Sequence, residues 1–260
     1  MAETMTAVDV APDKVQLGQR AARFCAETIN KVLSEKGSAR IIVATGASQF
    51  EFLEALCAES VAWDKVTAFH LDEYVGMDHT HKASFRRYLQ ERFFQKISPP
   101  CAAVHFLGGE TGAVEGEAAE AACAAYEAKL LEGDIDVACI GIGENGHIAF
   151  NDPPVADFND PKMVKVVPLD EKCRRQQLGE GWFETLDDVP THALSQTCTS
   201  IMRCKVISVH VPDERKADAV LGTLTAEIST ACPGTLLRRH DACYLWLDPP
   251  SASRLPDSMK

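Results

Sequence analysis

The feature that most constrains the fold is a rhythm of short, continuously apolar runs separated by amphipathic stretches of helical length. In Arg40–Ala44 (RIIVA) four apolar residues follow one another without alternation, so a strand built from them needs cover on both faces. The runs Arg40–Ala44, Val66–Leu71, Ile135–Gly141, Lys205–Val211 and Ala242–Leu247 are expected to be strands. Helices are expected over about Lys14–Lys36, Phe50–Cys57, Ser84–Gln95, Gly116–Leu131 and Arg215–Thr223. Strands separated by helices of this length imply βαβ crossovers, hence an α/β fold with a mostly parallel sheet and helices on both faces. Between Asn151 and Pro190 the rhythm breaks on Pro153, Pro154, Pro161, Pro168 and a Gly-Glu-Gly at 179–181. A long irregular insertion in a compact domain is usually functional or disordered, and a lid over an active site is the functional reading. The expectation is one α/β domain over 1–260, with an irregular lid at about 151–190 closing over a site.

Composition narrows the function. Hydrophobic residues make up 46% and charged residues 25%, enough for a packed core. The net charge of −12 and the lack of a dense Lys/Arg run argue against a nucleic-acid partner. If the ligand is itself a phosphate, backbone donors and a few cations must overcome that overall repulsion. The ten cysteines are scattered with no CxxC spacing, so neither a zinc site nor a thioredoxin-like motif is expected, and no metal is assigned. His79 and His81 read as an exposed loop before a helix. The start, MAETMTAVDVAPDK, has no basic region followed by an apolar run, and no apolar stretch is long enough for a membrane span. The cytosol is the expected location.

Three strand ends carry polar residues, and ligands of doubly wound sheets gather beyond the carboxyl ends of strands. Thr45-Gly46-Ala47-Ser48 lies between a strand and a helix. Gly46 permits unusual dihedrals, and the helix start offers free N–H groups, together an anion cradle; read alone, it is equally an ordinary turn capped by Ser48. In Phe69-His70-Leu71-Asp72-Glu73-Tyr74 a carboxylate follows an apolar strand directly, where partial burial raises its pKa and suits it to act as a base. A turn cap by Asp72 is the bland reading. The third segment is Gly141-Ile142-Gly143-Glu144-Asn145-Gly146-His147, followed by Asn151-Asp152-Pro153-Pro154. Its glycines let the backbone approach a ligand, with a histidine and a carboxylate close behind. A dinucleotide reading of GxGxxG is set aside, because a proline-rich segment follows and no ribose-binding acid is well placed.

Together VATGAS, FHLDEYVGM, HKASFRRYL and GIGENGHIAFND resemble the glucosamine-6-phosphate isomerase/deaminase family, in the group that includes 6-phosphogluconolactonases. The resemblance runs from about Ile41 to Ser251. It implies a Rossmann-like α/β fold, no cofactor and a small sugar phosphate as partner. By the same resemblance Asp72 is the proton-shuttling acid, His147 the ring-opening histidine, Asp152 its supporting acid and Asn145 a further orienting group. Thr45, Gly46, Ala47 and Ser48 form the phosphate loop, joined by Lys216. The family usually has glutamate at Asp152, often aspartate at Asn145, and Gly-Thr-Pro where this chain has Ala47-Ser48-Gln49. Its lid arginine has no clean match, the count landing near Glu180, and Arg174 and Arg175 stand in as nearby substitutes. The C-terminal extension of hexameric members is missing, and self-association into a homo-oligomer is compatible with the sequence.

The implied chemistry is isomerisation and deamination of an amino-sugar phosphate, glucosamine 6-phosphate to fructose 6-phosphate plus ammonia. His147 opens the ring, Asp72 moves a proton from C2 to C1, and ammonia leaves C2. A lactonase and a non-catalytic sugar-phosphate sensor are the competing readings; the DEYVG context weighs against the former.

Overall fold

The computed structural model describes residues 5–109 and 112–259; Met1–Thr4, on which part of the N-terminal reading rests, lie outside them. In chain order the elements are β1 (Ala7–Val10), α1 (Lys14–Lys36), β2 (Ala39–Val43), α2 (Phe50–Ala58), β3 (Val66–His70), β4 (Asp72–Tyr74), α3 (Phe85–Leu89), β5 (Ala103–His105) and α4 (Gly116–Leu130). They continue with β6 (Val137–Ile140), β7 (Val164–Pro168), α5 (Glu171–Gly179), β8 (His192–Gln196), α6 (Cys198–Met202), β9 (Val206–Val211), α7 (Ala217–Thr225) and β10 (Cys243–Leu247). The longest helix begins and ends where its caps dictate. Asp13 accepts the Gln16 N–H at 2.8 Å, and Gly37 turns left-handed at φ 78° behind Lys36.

The five expected strands all enter one seven-stranded sheet, ordered β1-β10-β9-β6-β2-β3-β5 and parallel throughout. Its central strands alternate between two cores. Ile41, Val43, Val137 and Cys139 face α1 and α2, while Ile42, Ala138 and Ile140 pack with α4 and α7. This is the two-sided burial that RIIVA required. From β2 the chain winds outward through β3 to β5, then returns to lay β6 on the other side of β2 and continues to β9 and β10. The reversal between β2 and β6 opens a crevice at their carboxyl ends, the usual ligand position in such sheets.

Two expectations are corrected. The 151–190 insertion is not irregular throughout: it contains β7 and α5. β7 pairs antiparallel with β8, which pairs with β4, in a separate three-stranded sheet. Pro168 is tolerated because it closes an edge strand. Ser84–Gln95 is not one α-helix either, since α3 widens into a π-turn at Gln90–Phe94. The wider turn lets consecutive Phe93 and Phe94 both reach aromatic neighbours, Trp63 at 5.3 Å and Phe106 at 5.8 Å between ring centroids. No helix of the described residues is long and apolar enough to cross a membrane.

Candidate active site

Four adjacent central strands, β9, β6, β2 and β3, deliver the candidate residues to one cleft at their carboxyl ends. The loop after β2 contributes Thr45–Ser48, the start of β4 just beyond β3 Asp72, the loop after β6 Gly141–Gly143 and His147, and the turn after β9 Lys216.

The loop after β2 is built to expose backbone. Gly46 sits at φ 93° and ψ 172°, which a side chain would oppose, and its carbonyl accepts the Tyr88 hydroxyl at 2.9 Å. A short 3-10 turn, Ala47–Gln49, then leads into α2. Gln49 anchors the loop from below. Its Oε1 lies 2.8 Å from His210 Nδ1, and His210 Nε2 is 2.9 Å from Ser208 Oγ. Burial drives the His210 imidazole down to about 3, so this histidine is a neutral strut.

Asp72 and Glu73 divide their labour. Glu73 accepts hydrogen bonds from the backbone N–H groups of Tyr74, Phe85 and Arg86 and from the Ser84 hydroxyl, at 2.9–3.1 Å, and so ties β4 to the start of α3. The structural capping that Asp72 could have supplied is therefore done by its neighbour. Asp72 pairs through its backbone with Ser195 of β8, and the residue, only 7% exposed, lines the cleft. No protein donor reaches that carboxyl among the described residues. Burial, then the adjacent Glu73, pushes it up to about 8. Burial likewise raises Glu73, against its four donors, to about 7. A carboxyl poised near neutrality in a cleft is what a general base requires.

His147 lies opposite. Gly143 lies against its ring, and a Cβ there would fall 2.2 Å from the imidazole, which would have to move. His147 Nδ1 is 2.8 Å from Asp152 Oδ1, yet the geometry is too bent for a regular hydrogen bond, and Nδ1 has no aligned partner. Catalytic hydrogen bonds often align only once substrate is present. Asp152 is completely buried and held from its other sides by Asn145 Nδ2 at 2.9 Å and the Asp170 N–H at 3.2 Å. Burial alone would raise its carboxyl; His147, Asn145 and the Asp170 N–H outweigh that and hold it below the ordinary range. The shorter side chain thus reaches the histidine.

Lys216 follows β9 through a strained turn, Asp213 at φ 88°, whose N–H is held by Asp248 at 3.1 Å and 3.2 Å. Its side chain is 4% exposed, and burial lowers its ammonium while Glu180 and Glu144 act the other way.

The sequence matches the glucosamine-6-phosphate isomerase/6-phosphogluconolactonase family over residues 12–246. A glucosamine-6-phosphate deaminase of Bacillus cereus (strain B4264) is 34% identical over 82% of this chain and 76% of its own length. The chain belongs to this family. A monomeric glucosamine-6-phosphate deaminase superposes with a TM-score of 0.85 at 31% identity, covering 95% of this chain and 99% of that one. The 6-phosphogluconolactonase of Trypanosoma brucei, at 18% identity, TM-score 0.80 and coverage of 97% and 100%, shares the fold.

Arg174 and Arg175 do not line the cleft. Arg174 donates to the carbonyls of Leu186 and Val189, and exposed Arg175 pairs with Glu171 at 2.6 Å. The reason is helical phase. Cys173, Gln176, Gln177 and Glu180 recur at i, i+3, i+4 and i+7 and face inward, which turns 174 and 175 away. Gln176, Gln177 and Glu180 line the cleft instead, and Gln177 Oε1 accepts the Tyr74 hydroxyl at 2.7 Å. That spacing was present in the sequence but carried by glutamines, which no hydrophobic pattern marks. Donor atoms of His147, Asp152 and Cys173 lie within 4.8 Å of one another. Burial, then Asp152, pushes the Cys173 thiol far up.

Proposed function

We propose that this chain converts glucosamine 6-phosphate to fructose 6-phosphate and ammonia. The observation that carries the reading is the facing arrangement of an unpartnered, elevated Asp72 carboxyl and the His147–Asp152 pair in a cleft whose other wall holds Lys216 and the Thr45–Ser48 loop. Phosphate binds at the exposed amides of Thr45–Ser48 and the Lys216 ammonium, which fixes the sugar's C6 end. His147, oriented by Asp152 and Asn145, moves the proton between ring oxygen and anomeric hydroxyl that opens the pyranose. The C1 aldehyde acidifies C2. Asp72 as carboxylate takes the C2 proton and returns it to C1, and water hydrolyses the resulting C2 imine to the ketone, releasing ammonia. A lactonase needs no carbon-acid base, and nothing else in the site would call for burying Asp72 without a donor.

The 151–190 segment is read as a lid, since α5 closes one wall of the cleft with Gln176, Gln177 and Glu180. The reaction is placed in the cytosol, which suits ten unpaired cysteines. A related deaminase is monomeric; the same state is proposed here over a homo-oligomer, and light scattering reads it. The functional test is stoichiometric appearance of ammonia and fructose 6-phosphate from glucosamine 6-phosphate, lost in Asp72→Asn; ammonia release unaltered in that variant would overturn the roles given.

A further inference from the structure

A carboxylate stands beside the anion cradle. Glu180, half-buried, closes the C-terminal end of α5 and lines the cleft together with the Thr45–Ser48 loop and Lys216. Its Oε2 lies 3.9 Å from the point that a Cβ on Gly46 would occupy. The group is held there from both sides, by Gln176 Nε2 on Oε1 at 2.9 Å and by Trp182 Nε1 on Oε2 at 3.2 Å. Gln176 is itself fixed, its Oε1 accepting the Glu144 N–H of the glycine loop at 2.9 Å. The nearby cation is in the opposite condition. Lys216 is 4% exposed, and its ammonium forms no hydrogen bond or close ion pair among the described residues; Glu180 and Glu144 act on it only at longer range.

A buried ammonium without a close partner favours an incoming anion, whereas a fixed carboxylate within a few ångströms of the same loop opposes it. Both charges are built into this cleft. We propose that Glu180 is the resident counter-anion of the phosphate cradle and sets its affinity for phosphorylated ligands. The proposal rests on reading Thr45–Ser48 and Lys216 as the phosphate site. Inorganic phosphate meets the repulsion with no sugar contacts to offset it, while a sugar phosphate gains contacts at the Asp72–His147 end of the cleft. Glu180 thus lowers occupancy of the cradle by small free anions, which lack the sugar contacts that offset the same penalty.

The test is calorimetric titration of the purified full-length protein with inorganic phosphate and with fructose 6-phosphate, at low salt and in 0.5 M NaCl. Removing one charge at this range is expected to tighten phosphate binding by about tenfold in Glu180→Gln at low salt, with a comparable gain for fructose 6-phosphate, and both gains shrink in high salt. Glu180→Ala gives the same tightening, so the result does not depend on how a glutamine settles against Gln176 and Trp182. Unchanged or weaker phosphate binding in both variants overturns the proposal. A loss of glucosamine 6-phosphate affinity alone also overturns it, because the acid would then be reading the substrate's ammonium. Lys216→Ala separates the two layers. If it weakens phosphate while the Glu180 variants change nothing, the cradle stands and the role of Glu180 falls; if it binds phosphate as wild type does, the cradle is misplaced and both fall.

Discussion

In Asp72→Asn a buried carboxyl loses its charge and keeps its shape, and the two consequences run in opposite directions. The carboxyl is held at about 8 against an ordinary 3.8, chiefly by burial and then by Glu73. Below pH 4 it is protonated in both folded and unfolded chains and costs nothing. Between pH 4 and 8 the unfolded chain ionises first, so the group lowers stability as pH rises, and above pH 8 the full penalty is present. At about 1.4 kcal/mol per pH unit, that interval sets an upper limit of ~6 kcal/mol. The cleft admits water to one side of the carboxyl, and relaxation of this kind reduces such penalties, so a gain of ~1–3 kcal/mol is expected for the asparagine variant at pH 9. For a chain of this size that is a rise of about 3–9 °C in melting temperature, shrinking toward zero near pH 4. Turnover falls ~10²–10⁴-fold, because asparagine cannot accept the C2 proton. In the wild type, kcat/KM climbs with pH toward about 8 as the carboxylate form fills. Thermal melts at pH 5 and 9 beside ammonia-release rates decide the matter. A variant destabilised at both pH values, or one that keeps its turnover, refutes the reasoning, since a structural aspartate loses stability when its charge is removed.

The other expectations concern neighbouring parts of the site. Lys216→Ala should raise KM for the phosphorylated sugar with a much smaller change in kcat, and added salt should narrow the gap to wild type. Asp152→Asn removes the carboxylate that orients His147 and is expected to cut kcat by about 10²-fold while the dissociation constant of fructose 6-phosphate stays within a few-fold. Gly143→Ala puts a methyl group against the His147 ring, so activity should collapse and stability fall by about 1–3 kcal/mol in a urea titration. If α5 closes over ligand, amide exchange in 171–179 slows when fructose 6-phosphate binds; unchanged exchange would count against the lid.

What the sequence made legible follows from where apolar residues cluster. The five central strands are continuous hydrophobic runs and were readable to within one or two residues, and Asp13 and Gly37 mark the ends of α1. The edge strands β1 and β5 are only 4 and 3 residues long and largely half-exposed, too short to stand out from loops. The β4–β8–β7 sheet was hidden because β4 has only 3 residues and its strands carry Asp72, Glu73, Ser195 and Gln196 and lie among prolines. In the site, Asp72 and His147 were legible as polar residues following apolar strands, whereas Lys216 was reached only through the family resemblance. Glu73 was not separable from Asp72, since only the fold decides which of two adjacent carboxylates meets the N–H groups of α3. Arg174 and Arg175 were chosen for charge, but the orientation of α5 is fixed by Cys173, Gln176 and Gln177, and charge says nothing about that phase.

The central claim is that this cleft performs carbon-acid chemistry on an amino sugar, and it is tested most directly by offering one preparation two substrates under the same conditions. With glucosamine 6-phosphate, the account predicts one fructose 6-phosphate and one ammonia per molecule consumed, at a kcat/KM at least about 10³-fold above that for hydrolysis of 6-phosphogluconolactone. Lactone hydrolysis without ammonia release, or binding of glucosamine 6-phosphate with no turnover at all, would contradict it.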